Sequence, residues 1–306
     1  MRALVTGSAG FIGSHLAEAL AARGHDVVGL DSLTDYYDPA LKEENAAAAG
    51  VELLRLDLAA DELDVAGYDA VFHLAGQPGA RSFGNVFPDY LRRNTLATQR
   101  VFEAAVAAGV RVVYASSSSI YGDAERYPTP EDVLPRPNSP YGITKLACEH
   151  LAYAYARGFG LEAVTLRYFT VYGPRQRPDM AFARVVDALA RGGSFEVYGD
   201  GRQSRSFTYV GDVVDATMRA LDAPAGSIFN VGGGEEASLR DALAVLERIA
   251  ERPLDVTFGP AAAGDMRRTK ADTCRIEAAL GWRAETPLED GLRAHWEWAS
   301  ARVAAR

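Results

Sequence analysis

The chain has 306 residues, 48% hydrophobic and 24% charged, a composition that supplies a large core and excludes a disordered chain. Its formal net charge of −9 disfavours a broad nucleic-acid surface or a polybasic membrane anchor, so neither partner is expected. Cys148 and Cys274 have no metal-ligand spacing, and no signal peptide or apolar run of ~20 residues occurs. We therefore expect a cytoplasmic protein without a metal site or a disulfide framework.

The first half of the chain alternates short β-branched apolar runs with amphipathic stretches. The amphipathic stretches at 11–23, 87–108 and 140–158 predict helices. The predicted strands are RALVTG (2–7), DVVGLD (26–31), VELLRLD (51–57), DAVFHLAG (69–76), VRVVYASS (110–117) and LEAVTLRYF (161–169). This alternation is typical of parallel strands joined by crossover helices, so the sequence predicts an α/β fold with a doubly wound parallel sheet.

The strict alternation ends after VYGPRQRPD (171–179). A helix around 181–191 and a short strand FEVYG follow, and the glycine and proline density rises. We predict that residues 170–306 form a smaller, interleaved C-terminal lobe. The first domain would span 1–169 and receive a return segment at about 207–231.

Glycines at positions 7, 10 and 13 follow the first predicted strand, in VTGSAGFIGSHL. Such glycines let the backbone approach a pyrophosphate that a helix N-terminus holds, which indicates a dinucleotide site. Asp31 ends the second strand, where a carboxylate accepts hydrogen bonds from both ribose hydroxyls and repels a 2′-phosphate, so NAD is favoured over NADP. Asp57 ends the third strand, where it either meets the adenine amine or caps the strand end.

Tyr141 and Lys145, in SPYGITK, are four residues apart at the start of a predicted helix and share one face. An ammonium near a phenol favours the phenolate, so the pair predicts a general base and the group that lowers its pKa. A solvated helix face is the alternative interpretation of this spacing alone.

The GxxGxxG spacing, HLAG and YxxxK together resemble the extended short-chain dehydrogenase/reductase family, which has a Rossmann-like fold, and specifically its nucleotide-sugar branch. The resemblance runs from VTGSAGFIGSH through SPYGITK to LGWRAETPLEDGL. It implies an NAD cofactor, a nucleotide-sugar substrate, and Ser117 as the hydroxyl that completes a catalytic set with Tyr141 and Lys145. The cofactor-binding residues it implies are Gly7, Gly10, Phe11, Ile12, Gly13, Asp31, Asp57, Leu58, Leu74, Ala75, Gly76, Asn94, Tyr141, Lys145 and Tyr168. For Asn94, a helix-interior polar group bonded to backbone is the alternative.

Three consecutive serines, Ser117, Ser118 and Ser119, stand where related enzymes of other activity carry acids. Similar 4,6-dehydratases typically have Thr-Asp-Glu there, and UDP-glucuronate decarboxylases have Thr-Ser-Glu. Without an acid there, no side chain would transfer protons at C5 and C6, so the remaining reaction is reversible oxidation at C4. The resemblance therefore implies a 4-epimerase.

The segments DSLTDYYDPALKEEN (31–45), GQPGARS (76–82) and VYGPRQRPDMAF (171–182) resemble the UDP-glucuronate 4-epimerase subgroup more than UDP-glucose 4-epimerases. Oxidised glucuronate is a β-keto acid, so such an enzyme needs donors that hold the carboxylate away from the geometry that loses CO₂. The substrate-binding residues implied are Arg81, Ser118, Ser119, Thr170, Arg177, Tyr198, Arg205 and Asp265. For Arg177, a surface loop cation is the alternative.

One departure from the family concerns the nucleotide base and its ribose. Many UDP-sugar epimerases have Arg-x-x-Asp where this chain has Ala262 and Asp265. Either Arg267 or Arg268 compensates or the ribose contact is thinner, so UDP versus dTDP stays open.

Three rival activities remain beside UDP-glucuronate 4-epimerase. UDP-glucose 4-epimerase is the nearest, a decarboxylase or dehydratase is more distant, and an idle NAD-binding sensor belongs to another class. Apolar residues on more than one face of 87–108 and 140–158 predict a homodimer through these helices.

Overall fold

The structure is a computed structural model that describes residues 1–79, 84–260 and 268–304. Its strands are β1 (Arg2–Thr6), β2 (Asp26–Asp31), β3 (Glu52–Arg55), β4 (Ala70–His73), β5 (Arg111–Ser117), β6 (Ala163–Tyr168), β7 (Thr170–Tyr172), β8 (Ser194–Tyr198), β9 (Ser204–Tyr209), β10 (Ile228–Val231), β11 (Glu236–Ser238), β12 (Asp255–Gly259) and β13 (Arg268–Thr269). Its α-helices are α1 (Phe11–Ala22), α2 (Pro39–Ala49), α3 (Phe87–Tyr90), α4 (Ala97–Ala108), α5 (Pro140–Phe159), α6 (Ala181–Arg191), α7 (Val210–Arg219), α8 (Leu239–Ala250), α9 (Cys274–Leu280) and α10 (Leu288–Ala304).

Seven parallel strands form the central sheet in the order β3-β2-β1-β4-β5-β6-β10. Both faces carry apolar cores, because β-branched and aromatic side chains alternate between the helices that cover each face. The strand order reverses between β1 and β4, which leaves a crevice at their carboxyl ends, the usual ligand site of such sheets. The predicted doubly wound α/β fold is confirmed.

A smaller set of strands lies outside the central sheet. Strand β9 pairs with β7, β11 and β13, and β8 pairs with β12. A separate apolar core packs these strands with α6, α8 and α10. After β9 the chain returns to the central sheet at β10, so the two sets interleave; the domain boundary at 169 stays a prediction.

Two helical regions differ from the sequence expectation. The stretch 87–108 is α3, then a π-helix at Leu91–Leu96, then α4, and π-helical turns occur frequently at functional sites. Helix α2 was not predicted, although its ends carry standard signals. Asp38 caps it by accepting from the Ala40 N–H, Pro39 opens it, and Gly50 ends it in the left-handed region.

Candidate active site

The glycine-rich turn follows β1 and begins α1. Gly7 has a φ of +73°, and a Cβ there would lie 2.8 Å from the Ala75 backbone nitrogen. A Cβ on Gly13 would collide with the Gly7 carbonyl oxygen. The turn therefore requires glycine at both positions and brings the N-terminus of α1 close to the exit of β4, where a dinucleotide pyrophosphate fits.

Two acids stand at the exits of the next strands. The Asp31 carboxylate accepts from the Ala9 N–H at 3.2 Å and from the Leu33 N–H at 2.9 Å. Asp57 accepts from the Ala59 N–H at 2.9 Å and pairs with Arg92. Burial alone would raise the pKa of Asp57, but these hydrogen bonds and the nearby guanidinium hold it below the usual value, so the carboxylate stays ionised.

A cavity lies along these strand exits. Apart from Asn94, every cofactor-binding residue implied by the sequence resemblance contributes to its wall. The further lining residues are Leu30, Ser32, Thr34, Tyr36, Tyr37, Lys42, Leu56, Gln77, Pro78, Arg93, Ala97, Ala115, Ser116 and Arg177. The glycine cradle, the ribose-side acid and the apolar walls fit an NAD molecule.

Asn94 lies directly behind that wall, on the π-helix. Its Oδ1 accepts from the Gln77 N–H at 2.6 Å, and its Nδ2 donates to the Gln77 carbonyl and the Thr144 hydroxyl. A Cβ on Gly76 would lie 3.0 Å from Asn94 Oδ1 and 3.4 Å from Lys145 Nζ. Asn94 thus fixes the segment that follows β4, and glycine at 76 lets the amide and the ammonium approach it.

Tyr141 and Lys145 line the cavity together, as the four-residue spacing predicts. Helix α5 starts there because Ser139 accepts from the Gly142 N–H at 3.1 Å and Pro140 occupies the first turn. Lys145 is buried, donates from Nζ to the Ala115 carbonyl at 2.8 Å, and lies 5.8 Å from the centre of the Tyr141 ring. The Lys145 ammonium therefore lies beside the Tyr141 ring at the cavity wall.

The predicted third member, Ser117, ends β5 next to this pair. Its Oγ accepts from the Ser119 N–H at 3.1 Å and donates to Ser119 Oγ at 3.2 Å. A Cβ on Gly142 would collide with the Ser119 carbonyl oxygen, so the start of α5 packs tightly on the serine turn. This close approach places the serine turn against the start of α5, although Ser117 itself is not among the residues that line the cavity.

The neighbouring Ser116 faces a different environment. Its hydroxyl donates to the buried Glu149, which Arg167 holds with Nη2 2.7 Å from Oε2. The Arg167 Nη1 atom donates in turn to the Tyr121 hydroxyl at 2.7 Å. Both charges are satisfied inside the fold, so Glu149 anchors α5 to β5 and β6.

His73, in the HLAG motif, is a buried neutral histidine. Its ring nitrogens lie 2.8 Å from Thr6 Oγ1 and 2.9 Å from Thr98 Oγ1. Burial, assisted by the positive charge of Lys145, lowers the pKa of His73 to about 3. It joins β1 and β4 at the switch point and carries no charge near neutral pH.

Most of the predicted substrate-binding residues within the described ranges do not lie on the wall of the cavity. Of those the structure describes, Arg177 alone lines the cavity, and its guanidinium binds Asp179 through Nε at 3.0 Å and Nη2 at 3.2 Å. Ser118 follows Ser117 on the half-buried serine turn. Thr170 begins β7, Tyr198 ends β8, and Arg205 lies in β9 with Nη1 2.9 Å from the Ser204 carbonyl. Arg81, Asp265 and Arg267 lie outside the described residues, while Arg268 is bound to Glu236 at 3.0 Å.

Several lining residues were not predicted from the sequence. Tyr36 and Tyr37 lie in the loop between β2 and α2, and Lys42 lies in α2, where Nζ donates to the Thr34 carbonyl at 2.6 Å. Their signal was the position of DYYDPALK directly after the ribose-side Asp31. Arg93, on the π-helix, donates to the Gln77 side chain at 2.7 Å.

Comparison with known proteins agrees with this geometry. The family model described as NAD dependent epimerase/dehydratase matches residues 3–232. A UDP-glucuronic acid 4-epimerase from Bacillus cereus, solved with UDP-glucuronic acid and NAD, superposes with a TM-score of 0.94 at 37% identity, covering 99% of this chain and 100% of that one.

Two curated relatives have names that differ in the sugar. A UDP-glucuronate 4-epimerase from Thermodesulfobacterium geofontis is 33% identical over 98% of this chain and 96% of its own length. A UDP-glucose 4-epimerase from Mycolicibacterium smegmatis is 37% identical over 95% of this chain and 96% of its own length.

Proposed function

The chain belongs to the NAD dependent epimerase/dehydratase family, and we propose that it is a UDP-glucuronate 4-epimerase that forms UDP-galacturonate. It uses NAD as a resident cofactor and is an isomerase. Similarity over nearly the whole chain to the B. cereus enzyme supports this choice of reaction.

The placement of acids supports C4 epimerisation most directly. Among the described residues that line the cavity, Asp31 and Asp57 are the only acids, and both stand at the exits of β2 and β3. At the exit of β5 the chain has serines, and the carboxylate behind them, Glu149, is held by Arg167. Dehydration, or protonation at C5 after loss of CO₂, needs an acid or base at the sugar in addition to Tyr141, and no carboxylate among the described residues at the exit of β5 is available for it.

Three side chains of this corner carry the proposed chemistry. Tyr141 takes the proton of the C4 hydroxyl, Lys145 stabilises the phenolate, and Ser117 hydrogen-bonds the same sugar oxygen. Bound NAD supplies the acceptor, and later the donor, of the C4 hydride. Tyr141 then returns its proton after the sugar has turned its other face, so the reaction is redox-neutral overall.

The carboxylate of the sugar needs its own donors. We assign this role to Ser118, Ser119 and Thr170, with Arg177 as a charged neighbour. Ser119 Oγ accepts the Ser117 hydroxyl, and its own O–H meets no acceptor among the described residues, so it can turn toward an anion. Such contacts hold the C5 to carboxylate bond out of line with the keto group.

UDP-glucose 4-epimerase is the second candidate. The M. smegmatis relative supports it, and so does the pairing of Arg177 with Asp179, because among the described residues assigned to the carboxylate Arg177 is the guanidinium and it is already bound. A neutral hexose needs no charged ligand.

A product analysis separates these activities. Purified protein is incubated without added NAD, separately with UDP-glucuronate, UDP-glucose and the corresponding dTDP sugars, and products are resolved by chromatography and mass. We expect an isomer of unchanged mass from UDP-glucuronate. Turnover of UDP-glucose alone would establish the second candidate, and loss of CO₂ would contradict the role assigned to the serines. Absence of a new product from all of these sugars would indicate an NAD-binding sensor.

We also propose a homodimer. Large apolar side chains are exposed on the π-helix and on α5, which pack side by side: Leu91 (45%), Leu96 (44%), Ile143 (42%), Tyr153 (69%) and Phe159 (67%). A second copy would cover such a surface. Light scattering should give twice the chain mass; Tyr153→Glu should give a monomer, and Phe258→Glu, at an exposed aromatic of β12, should not. A monomeric mass for the unaltered protein would contradict the proposal.

No helix among the described residues is long and apolar enough to cross a membrane. Of the two cysteines, Cys148 is buried and Cys274 is exposed, and they are not bonded to each other. We propose a cytoplasmic location on the cysteine content alone.

A further inference from the structure

The loop between β2 and α2, residues 32–38, forms one wall of the cofactor cavity. Ser32, Thr34, Tyr36 and Tyr37 all line the cavity from this side. Across the cavity stands Arg177, on the segment that follows β7. The two walls belong to chain segments far apart in sequence, so a contact between them links the loop to the opposite side of the cavity.

That contact is a hydrogen-bonded chain of three side chains. The Tyr36 hydroxyl donates to Asp179 Oδ2 at 3.3 Å, and the Arg177 guanidinium grips both oxygens of the same carboxylate. A Cβ on Gly79 would lie 3.0 Å from the Tyr36 hydroxyl, so the tyrosine also rests on the segment that follows β4. Burial would lower the pKa of the Arg177 guanidinium, but Asp179 raises it, so the cation is retained.

The segment that carries Arg177 and Asp179 is fixed to the rest of the fold. His15 of α1 lies with Nε2 2.9 Å from the Pro174 carbonyl, and Arg175 pairs with Glu18 at 2.7 Å. The buried Gln176 side chain donates to the Val171 carbonyl and accepts from the Ala183 N–H. Asp179 therefore lies on an anchored segment. The 32–38 loop is tied to α2 at Thr34, where Lys42 Nζ donates to the carbonyl at 2.6 Å, and Tyr36 links the loop to the opposite wall.

We propose that Tyr36 and Asp179, with Arg177 holding the carboxylate, form a clasp that keeps the 32–38 loop closed over bound NAD and slows its release between turnovers. Tyr36 and Asp179 are positioning residues, since neither is needed to touch the reacting atoms. The clasp suits an enzyme whose cofactor is regenerated in each cycle and has no need to leave. The inference rests on NAD binding, which the proposed function shares.

The rate of cofactor release tests the clasp without any sugar. The clasp can therefore be disproved while the proposed function stands, and the proposed function can be disproved while the clasp stands. Protein loaded with NADH is mixed with excess NAD⁺, and the fall in NADH fluorescence gives the dissociation rate. Tyr36→Phe removes one hydroxyl from a partly exposed ring, and we expect release to become about five-fold faster, the effect of one modest hydrogen bond. Asp179→Asn should give a similar acceleration.

Two comparisons make the test specific. Asp35→Asn removes an acid from the same loop at an exposed position outside the clasp, and its release rate should match that of the unaltered protein. The Tyr36→Phe, Asp179→Asn double variant should release NADH no faster than the faster single variant, because both remove the same contact. An unchanged rate in Tyr36→Phe, an equal acceleration in Asp35→Asn, or additive effects in the double variant would overturn the clasp.

Discussion

The nucleotide side and the sugar side of the site are built in different ways. On the nucleotide side, the conformation of the backbone forms the site: Gly7 and Gly13 shape the turn, and Asp31 lies at the end of β2. On the sugar side, side chains bind one another, as in the hydrogen bond from Ser117 to Ser119. The first is a cradle formed by the fold itself, whereas the second must exchange internal hydrogen bonds for contacts with substrate.

Because of this difference, NAD binding and the epimerisation reaction should respond differently to substitutions. NAD contacts are spread over many strand exits, so the loss of one side chain leaves most of them in place. The reaction depends on few groups in one corner, so the loss of one of them stops it. Variants on the two sides should therefore fail in opposite ways.

The largest effect is expected from Tyr141→Phe, on the reacting side. Removing the phenol oxygen removes the general base, and turnover should fall by about 1,000-fold while NAD stays bound. Epimerisation rate and the ultraviolet spectrum of the purified protein measure the two quantities. Near-normal turnover would show that another group is the base.

On the nucleotide side, Gly13→Ala is expected to weaken NAD binding. The added Cβ collides with the Gly7 carbonyl oxygen, so the turn must shift, and we expect weaker NAD binding and a loss of about 2 kcal/mol of unfolding free energy. Calorimetry with NAD and urea unfolding measure these effects. Gly158→Ala is the matched control, since no atom lies near its Cβ position in α5, and helix propensity should add about 0.5–1 kcal/mol. Unchanged NAD affinity in Gly13→Ala would contradict the cradle.

The same difference explains what the sequence could predict. Strand exits follow from the alternation of apolar runs, and parallel strands bring their ends to one edge, so the glycines, Asp31 and Asp57 could be placed in one cavity in advance. The pairing of Arg177 with Asp179 and Tyr36 joins two loops, and loop conformation has no periodic sequence signal. The π-helix around Asn94 could not be predicted either, because its apolar pattern continues that of the flanking helices.

A smaller effect distinguishes two buried histidines, one on a strand of the central sheet and one on the last helix. His73 on β4 contacts the hydroxyls of Thr6 and Thr98, whereas both ring nitrogens of His295 on α10 lack a hydrogen-bond partner among the described residues. Burial lowers the pKa of each to about 3, and for His295 the charge of His15 adds to the effect. Both histidines are neutral in the fold near pH 7.

The sign of the pH dependence follows from these pKa values. An unfolded histidine has a pKa of about 6.5, so below that pH the unfolded chain binds more protons than the fold. The stabilisation is complete above pH ~6.5 and decreases as the pH falls toward about 3. Between pH 7 and pH 5, each histidine should cost about 2 kcal/mol of unfolding free energy.

Leucine substitutions at the two positions should therefore have different effects on the unfolding free energy at pH 7. Both should reduce by a similar amount the stability that is lost between pH 7 and pH 5. His295→Leu leaves no hydroxyl without a partner, so stability at pH 7 should change by less than about 1 kcal/mol. His73→Leu leaves Thr6 and Thr98 facing an apolar side chain and should cost about 2 kcal/mol at pH 7. Urea unfolding at pH 7 and pH 5 should show a shallower acid loss for both variants, by about 2 kcal/mol. If His295→Leu keeps the full acid loss, that histidine is protonated in the fold at pH 5, which would contradict the low pKa assigned to its burial.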